Sequence, residues 1–154
     1  MRVYSDDKDV QRVATHLPDP RDLILFVLKA HLLVETTLRE IVQARCERTS
    51  ALDAAQLSFW NLLHVAESLT SREDEAPSWV WKAARTLNAT RNQLTHKLEP
   101  KGVKEKLQGL IAAAERRAWR SDIESDNSWE GRLSVAIGFL IGDLANIRDG
   151  VTHG

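Results

Sequence analysis

Residues 90–98, TRNQLTHKL, carry three side chains suited to phosphate and proton chemistry: Arg91, Asn92 and His96. An arginine donates a planar fork of hydrogen bonds to phosphate oxygens, an amide orients a polar ligand, and a neutral imidazole accepts a proton. On a helix, Arg91 falls within a stripe of apolar residues, whereas His96 lies about 140° around the axis from it. We therefore expect the two to share a ligand only if the helix loosens before Pro100 or a second copy of the chain supplies the facing pair. The apolar stripe consists of Val80, Ala84, Leu87, Leu94 and Leu98.

A second apolar stripe, earlier in the chain, also contains ionisable residues. His31 and Glu35 lie four residues apart, on one face of the helix. A buried charge is costly unless it is paired, so we predict that Glu35 pairs with Arg91 and that His31 lies nearby. Two interpretations are open: an ion pair that fixes the register of two helices, or a cleft or subunit interface that holds catalytic groups. The stripe consists of Ile24, Val27, Leu28, Leu38, Ile41 and Val42.

The elements that position these residues are helices, because apolar residues recur with a period of 3.6 and nowhere with a period of two. We predict Asp19 as the N-cap of the first helix, and Asp53 with Gln56 as a capping box for the second. Residues 1–18 are predicted to be an arm or a short extra helix. Short connections favour antiparallel neighbours, so residues 19–150 are predicted to form an all-α, single-domain, mostly antiparallel helical bundle. Its five helices are predicted at residues 20–46, 54–69, 77–98, 103–119 and 129–148.

Composition narrows the class of protein. The chain of 154 residues suits one domain with one core. The longest apolar run, residues 23–34, is too short to span a bilayer, and the charged N-terminus is unlike a signal peptide. The single cysteine, Cys46, excludes a disulfide framework and favours the cytoplasm. Histidine and cysteine residues show no zinc spacing, so we expect no metal and no other cofactor.

Positive charge is concentrated in one part of the chain. Residues 85–120 carry nine Lys or Arg residues and three acids, whereas the whole chain has a net charge of −1. This asymmetry predicts a surface that faces phosphates. The alternative is an ordinary solvated face whose bases pair with acids elsewhere. The residues predicted to contact phosphates are Lys97, Lys101 and Lys104. Those predicted to form a solvated face are Arg116, Arg117 and Arg120.

The segment ARTLNATRNQLTHKLEP resembles the signature helix of the HEPN (higher eukaryotes and prokaryotes nucleotide-binding) family. That helix carries an arginine, a polar residue, three more positions and then a histidine, matched here by Arg91, Asn92 and His96. The segments HLLVETTLREIV and LSFWNLL also look like members of the family, and the resemblance covers about residues 23–100. It implies a dimeric helical bundle in which these three residues act together with those of a second chain.

The activity implied by the resemblance is that of a metal-independent endoribonuclease, either a toxin of a toxin–antitoxin pair or a phage-defence effector. His96 would take the proton of the RNA 2′-OH, Arg91 would stabilise the charged phosphate and Asn92 would orient the phosphate or the histidine. An antitoxin or a nucleotidyltransferase is the implied partner. A toxin subgroup places a modified tyrosine where this chain has Leu98, so regulation by that route is not expected. The alternative is a non-catalytic HEPN-like module for dimerisation, nucleotide binding or partner binding.

Overall fold

The computed structural model describes residues 7–70, 78–117 and 127–150, and all regular structure in these ranges is helical. The predicted all-α class is therefore confirmed. The described ranges contain seven helices rather than about five, because residues 1–18 contribute one helix and a short helix, Thr49–Ala55, lies mostly before the predicted start of the second helix at residue 54. The helices are α1 (Asp7–His16), α2 (Leu23–Arg45), α3 (Thr49–Ala55), α4 (Phe59–Leu69), α5 (Trp79–His96), α6 (Val103–Arg117) and α7 (Trp129–Gly150).

The start of α2 shows which aspartate caps the helix. The side chain of Asp22 accepts a hydrogen bond from the backbone N–H of Leu25 at 3.2 Å, which satisfies one of the unpaired donors of the first turn. The predicted cap, Asp19, is wrong. Its carboxylate instead accepts the backbone N–H of Arg21 at 2.8 Å and pairs with the guanidinium of the same residue. The helix therefore begins at Leu23.

The predicted second helix is interrupted between α3 and α4. Gln56 adopts a left-handed backbone conformation, with φ of 49°, and this ends α3. Ser58 then begins α4, since its hydroxyl oxygen accepts the backbone N–H of Asn61 at 3.2 Å. The predicted capping box of Asp53 with Gln56 is therefore wrong, because Asp53 lies inside α3 and Gln56 lies at its end.

The core is built around α2 and α7, which pack against each other, while α2 also packs against α4 and α5. The middle of α7 is apolar nearly all round, as expected for a central helix. Neither α7 nor any other described helix is long and apolar enough to cross a membrane. The largest fully buried side chains are Phe26, Leu38, Ile41, Leu62, Leu63, Leu87, Leu107, Ile111, Leu133, Ile137, Leu140 and Ile141.

Helices α5 and α6 run antiparallel. At one end of the pair, Lys106 Nζ donates to Gln93 Oε1 at 2.6 Å. At the other end, Trp79 and Arg117 both donate to the carboxylate of Asp143 on α7. The two contacts join the end of α5 to the start of α6 and the start of α5 to the end of α6.

Helices α2 and α7 instead run parallel, which departs from the predicted up-and-down order. Their C-terminal ends meet, because Arg45 Nη2 donates to the carbonyl oxygen of Ile147 at 3.1 Å. One turn away, Arg148 Nη1 lies 3.5 Å from Glu40 Oε1.

Ion pairs fix α1 to this end of the bundle. Asp9 is 1% exposed, and its Oδ2 accepts from Arg148 Nη2 at 2.7 Å. The hydrogen bonds that Arg148 donates to Asp9 are the main cause that raises the pKa of Arg148. Arg12 Nη1 lies 2.5 Å from Glu40 Oε1. The residues predicted to be an arm or a short helix therefore hold a helix that is anchored to both α2 and α7.

Candidate functional site

Arg91 lies on α5 with its side chain half-buried. Its Nη1 donates to Asn92 Oδ1 at 3.1 Å, so its nearest polar partner is a neutral amide. No carboxylate of the described residues forms an ion pair with this guanidinium. The positive charge of Arg91 is therefore not neutralised by the part of the chain that is described.

The predicted ion pair between Glu35 and Arg91 does not form. Glu35 Oε1 lies 3.9 Å from Arg39 Nη2, one turn further along α2. Both side chains of this local pair are partly exposed, so solvent and a neighbour on the same helix stabilise the carboxylate without a partner from α5. The interpretation of Glu35 and Arg91 as a structural ion pair is therefore wrong.

His31 is buried, with 4% of its surface exposed, and it joins three helices. Its Nε2 donates to Asn88 Oδ1 on α5 at 3.0 Å, and its ring stacks on Phe59 of α4 with 4.1 Å between the ring centroids. Burial lowers the pKa of His31, and the positive charge of Arg91 lowers it further, although the bond to Asn88 and the charge of Glu35 act in the opposite direction. His31 is therefore neutral at neutral pH and acts as a support.

Asn88 joins α5 to α2, a contact that sequence reasoning did not predict. It lies one turn before Arg91 and Asn92, and its Oδ1 accepts a hydrogen bond from His31. The position of Asn88 could have indicated this contact, because a polar residue beside the apolar stripe of a helix needs a hydrogen-bond partner when it packs against another helix. His31, on the apolar stripe of α2, was a candidate for that partner.

His96 is the last residue of α5 and is exposed. The helix is intact up to this point, because the backbone N–H of Lys97 donates to the carbonyl oxygen of Gln93 at 3.0 Å. The backbone becomes extended at Lys97, after His96, so His96 keeps its separate face of the helix. One copy of the chain therefore does not bring Arg91 and His96 onto a common ligand.

The lysines predicted to contact phosphates are exposed at the end of α5 and the start of α6. The ammonium groups of Lys97 and Lys101 contact no side chain of the described residues. Lys104 Nζ lies 5.2 Å from the ring centroid of Trp129, a cation–π distance that still leaves the ammonium exposed. Elsewhere in the basic segment the charge is partly neutralised, since Arg85 Nη1 lies 3.0 Å from Glu67 Oε2 on α4.

The prediction that Arg117 belongs to a solvated face at the end of α6 is wrong. Its guanidinium forms a two-point ion pair with Asp143, which is 2% exposed, and it lies 4.9 Å from the ring centroid of Phe139. Trp79 Nε1 donates to the same carboxylate at 2.9 Å. Arg116 is exposed as predicted, and residue 120 of that predicted face lies outside the described residues. A single aspartate inside an apolar helix was the sequence signal for this buried pair.

An apolar strip of α2 is exposed close to the site. Ile24 is 54% exposed and Leu32 is 53% exposed, although Ile24 was predicted on the buried stripe. Helix α5 begins near the C-terminal end of α2, and His31 contacts Asn88, so the two helices are antiparallel. Arg91 therefore lies beside the N-terminal half of α2. The exposed strip lies at this same end of the bundle as Arg91. Leu98, another predicted stripe residue, is fully exposed just after α5.

The described residues contain no group of three or more His, Cys, Asp or Glu side chains placed to hold a metal ion. The polar site thus consists of Arg91, Asn92 and Asn88 on α5 with the buried His31 behind them, while His96 lies on a different face at the helix end. No protein-family model matches the chain, and no curated protein or solved structure does.

Proposed function

We propose that the chain is a HEPN-type endoribonuclease that acts as a homodimer and cleaves RNA through the 2′-OH without a metal. Arg91 carries this proposal. Arg91 is half-buried and its described partner is a neutral amide, so its charge is available to an anion. A phosphate diester supplies one in the planar geometry that arginine binds best.

The reaction needs a base and a group that stabilises charge. The imidazole of His96 takes the proton of the 2′-OH, and the resulting oxygen attacks the adjacent phosphorus. Arg91 donates hydrogen bonds to the phosphate oxygens as negative charge builds, with Asn92 holding the guanidinium in place. The bond to the 5′-oxygen breaks, and this oxygen takes a proton from water. The products are a 2′,3′-cyclic phosphate and a 5′-hydroxyl end.

The proposed reaction uses a second copy of the chain. Arg91 and His96 lie on different faces of α5, and a dimer in which the histidine of one copy meets the arginine of the other would place both on one phosphate. The exposed side chains of Ile24 and Leu25 supply apolar surface for such a contact, at the end of the bundle where Arg91 lies. The lysines Lys97, Lys101 and Lys104 then line the approach of the RNA backbone.

A nuclease of this kind harms the cell that makes it, so we infer a role as a toxin of a toxin–antitoxin pair or as a phage-defence effector. The inferred partner is an antitoxin or a nucleotidyltransferase. Exposed Leu98 offers no hydroxyl for modification, so this partner acts by binding or by modifying another residue.

The test is cleavage of single-stranded RNAs of varied sequence by the purified protein in EDTA. We expect products with 2′,3′-cyclic phosphate ends, and we expect His96→Ala to abolish cleavage while circular dichroism shows an unchanged fold. His64→Ala is the matched control, because His64 is also an exposed helical histidine but lies on α4. A wild-type protein that is inert on all the RNAs, or a His96→Ala variant as active as wild type, contradicts the proposal.

The second candidate function is a non-catalytic module for dimerisation, nucleotide binding or partner binding. The observation that favours it is the separation of His96 from Arg91 on α5, which leaves Arg91 as an anion site without a base. This function predicts that Arg91→Gln weakens the binding of ATP or RNA, that His96→Ala does not, and that no RNA is cut by either protein.

A further inference from the structure

A groove between α1 and α2 takes no part in the proposed reaction. Its volume is about 370 Å³, at the lower end of the range of small-molecule pockets. It lies on a different side of α2 from His31, which faces α4 and α5. The side chains that line it are Arg12 and His16 of α1 and Lys29, Leu32, Leu33 and Thr36 of α2.

The polar lining of the groove is basic. Three of its six lining residues are Arg12, His16 and Lys29, and none of the six is an acid. The charge of Arg12 is neutralised by Glu40, whose Oε1 lies 2.5 Å from Arg12 Nη1. Lys29 is half-buried, and its ammonium contacts no partner among the described residues. An ammonium at a groove lined by no acid favours the binding of an anion there.

The rest of the groove is apolar. Leu33 is buried at its base and Leu32 is 53% exposed at its side. An inorganic anion would leave this leucine surface in contact with water, whereas a neutral hydrocarbon would leave the ammonium of Lys29 without a partner. A ligand with a negatively charged head and an apolar body satisfies both parts of the lining.

We propose that this groove binds a small amphiphilic anion, a carboxylate on an aliphatic or aromatic body. The carboxylate lies between Lys29 of α2 and His16 of α1, and the body covers Leu32. Because the ligand touches both helices, it holds α1 on the bundle in addition to the ion pairs of Asp9 and Arg12. This inference is independent of the proposed ribonuclease function.

The experiment is a calorimetric titration of the full chain with octanoate, repeated on two variants. We expect saturable binding to one site, weakened at least about tenfold by Lys29→Gln. Lys82→Gln is the matched control, since Lys82 is an exposed lysine on α5 outside the groove. Hydrogen exchange provides a second readout: octanoate slows the exchange of the α1 amides in wild type and has no such effect in Lys29→Gln.

Two further ligands and two further variants sharpen the result. Octanol, which lacks the charge, and acetate, which lacks the body, are each expected to bind at least about tenfold more weakly than octanoate. Lys29→Arg should keep the affinity. If Lys29→Gln does not fold, His16→Gln replaces it and is expected to weaken binding, because His16 is exposed and its loss is tolerated.

Four outcomes overturn the inference. They are the absence of saturable octanoate binding, equal affinity of wild type and Lys29→Gln, equal affinity for octanol and octanoate, and binding only to vesicles of anionic lipid. The third would identify an apolar patch, and the fourth would identify a membrane surface as the partner.

Discussion

Two kinds of arginine occur in this bundle, and their partners differ. Arg148 and Arg117 lie against the core, and each meets a carboxylate that is almost fully buried: Asp9 for the first and Asp143 for the second. Arg91 is half-buried as well, yet its described partner is the neutral amide of Asn92. Arg148 and Arg117 therefore stabilise the fold through buried ion pairs, whereas Arg91 has no carboxylate partner among the described residues.

The difference shows how structural and functional charges can be distinguished. A buried cation that serves stability carries its own anion, because the cost of desolvation must be offset within the chain. A cation that serves binding is left for a ligand, and the free energy of its incomplete solvation is recovered when the ligand arrives. Mutations should therefore affect stability at Asp143 and Asp9, and activity at Arg91.

The largest expected effect is that of Asp143→Ala. The variant leaves Arg117 buried with a positive charge and no carboxylate, and Trp79 loses its acceptor. We expect the free energy of unfolding to fall by about 3–5 kcal/mol, measured by urea denaturation. Glu115→Ala is the control, because it breaks the partly exposed pair with Arg132 and should cost much less than Asp143→Ala. Equal losses of unfolding free energy in the two variants would show that the buried ion pair contributes no more to stability than the partly exposed one.

Arg91→Gln should instead lower activity and leave stability almost unchanged. On the proposed function, RNA cleavage falls about 10²–10³-fold, because a group that stabilises the charged phosphate is lost. The free energy of unfolding should change by less than about 1 kcal/mol, since no described carboxylate is left without its partner. Arg85→Gln, on the same helix but paired with Glu67, should leave cleavage unchanged. A large loss of stability with unchanged activity would assign Arg91 to the fold.

Asp9→Asn should have a smaller effect than Asp143→Ala. Arg148 keeps Glu40 and Asp149 as neighbours, so its charge is not left alone. We expect a loss of about 1–3 kcal/mol, accompanied by faster hydrogen exchange in α1, which Asp9 anchors. Lys8→Gln, at an exposed neighbouring position on α1, should change neither quantity. Unchanged exchange in Asp9→Asn would show that apolar packing alone holds α1.

The smallest expected effect concerns pH and His31. Its pKa is lowered in the fold, mainly by burial, so the unfolded chain binds this proton more readily. The stabilising contribution is complete above the unfolded pKa of about 6.5 and is lost as the pH falls below it. We expect His31→Gln to reduce the loss of stability between pH 7.5 and pH 5, measured by urea denaturation at both values. His64→Gln should leave the loss unchanged, and an identical pH dependence in wild type and His31→Gln would exclude this role.

Sequence patterns predicted the helical class and the main helices well, because apolar periodicity reflects packing that every long helix requires. They missed the break between α3 and α4, because it depends on the left-handed conformation of Gln56 and the hydroxyl cap of Ser58. Gln and Ser residues occur in loops and helices alike, so the sequence pattern alone does not locate this break.

Partners across the fold were harder to predict than elements. Sequence reasoning placed Arg91, Asn92 and His31 in one region, but it assigned Arg91 to Glu35, which pairs with Arg39 instead. Polar contacts between distant helices depend on rotation and register, and neither is determined by periodicity within one helix. The pair of Arg148 with Asp9 joins residues at opposite ends of the chain, so no local pattern indicates it.

The central claim is that Arg91 of one copy and His96 of another form one ribonuclease site. Its most direct test is a heterodimer purified through two different tags, with Arg91→Ala in one chain and His96→Ala in the other. The account predicts that both parent homodimers are inactive and that the heterodimer, which retains one intact Arg91 and one intact His96, recovers about half of the wild-type RNA cleavage. A heterodimer as inactive as its parents, or a wild-type chain that remains monomeric while cutting RNA, would contradict it.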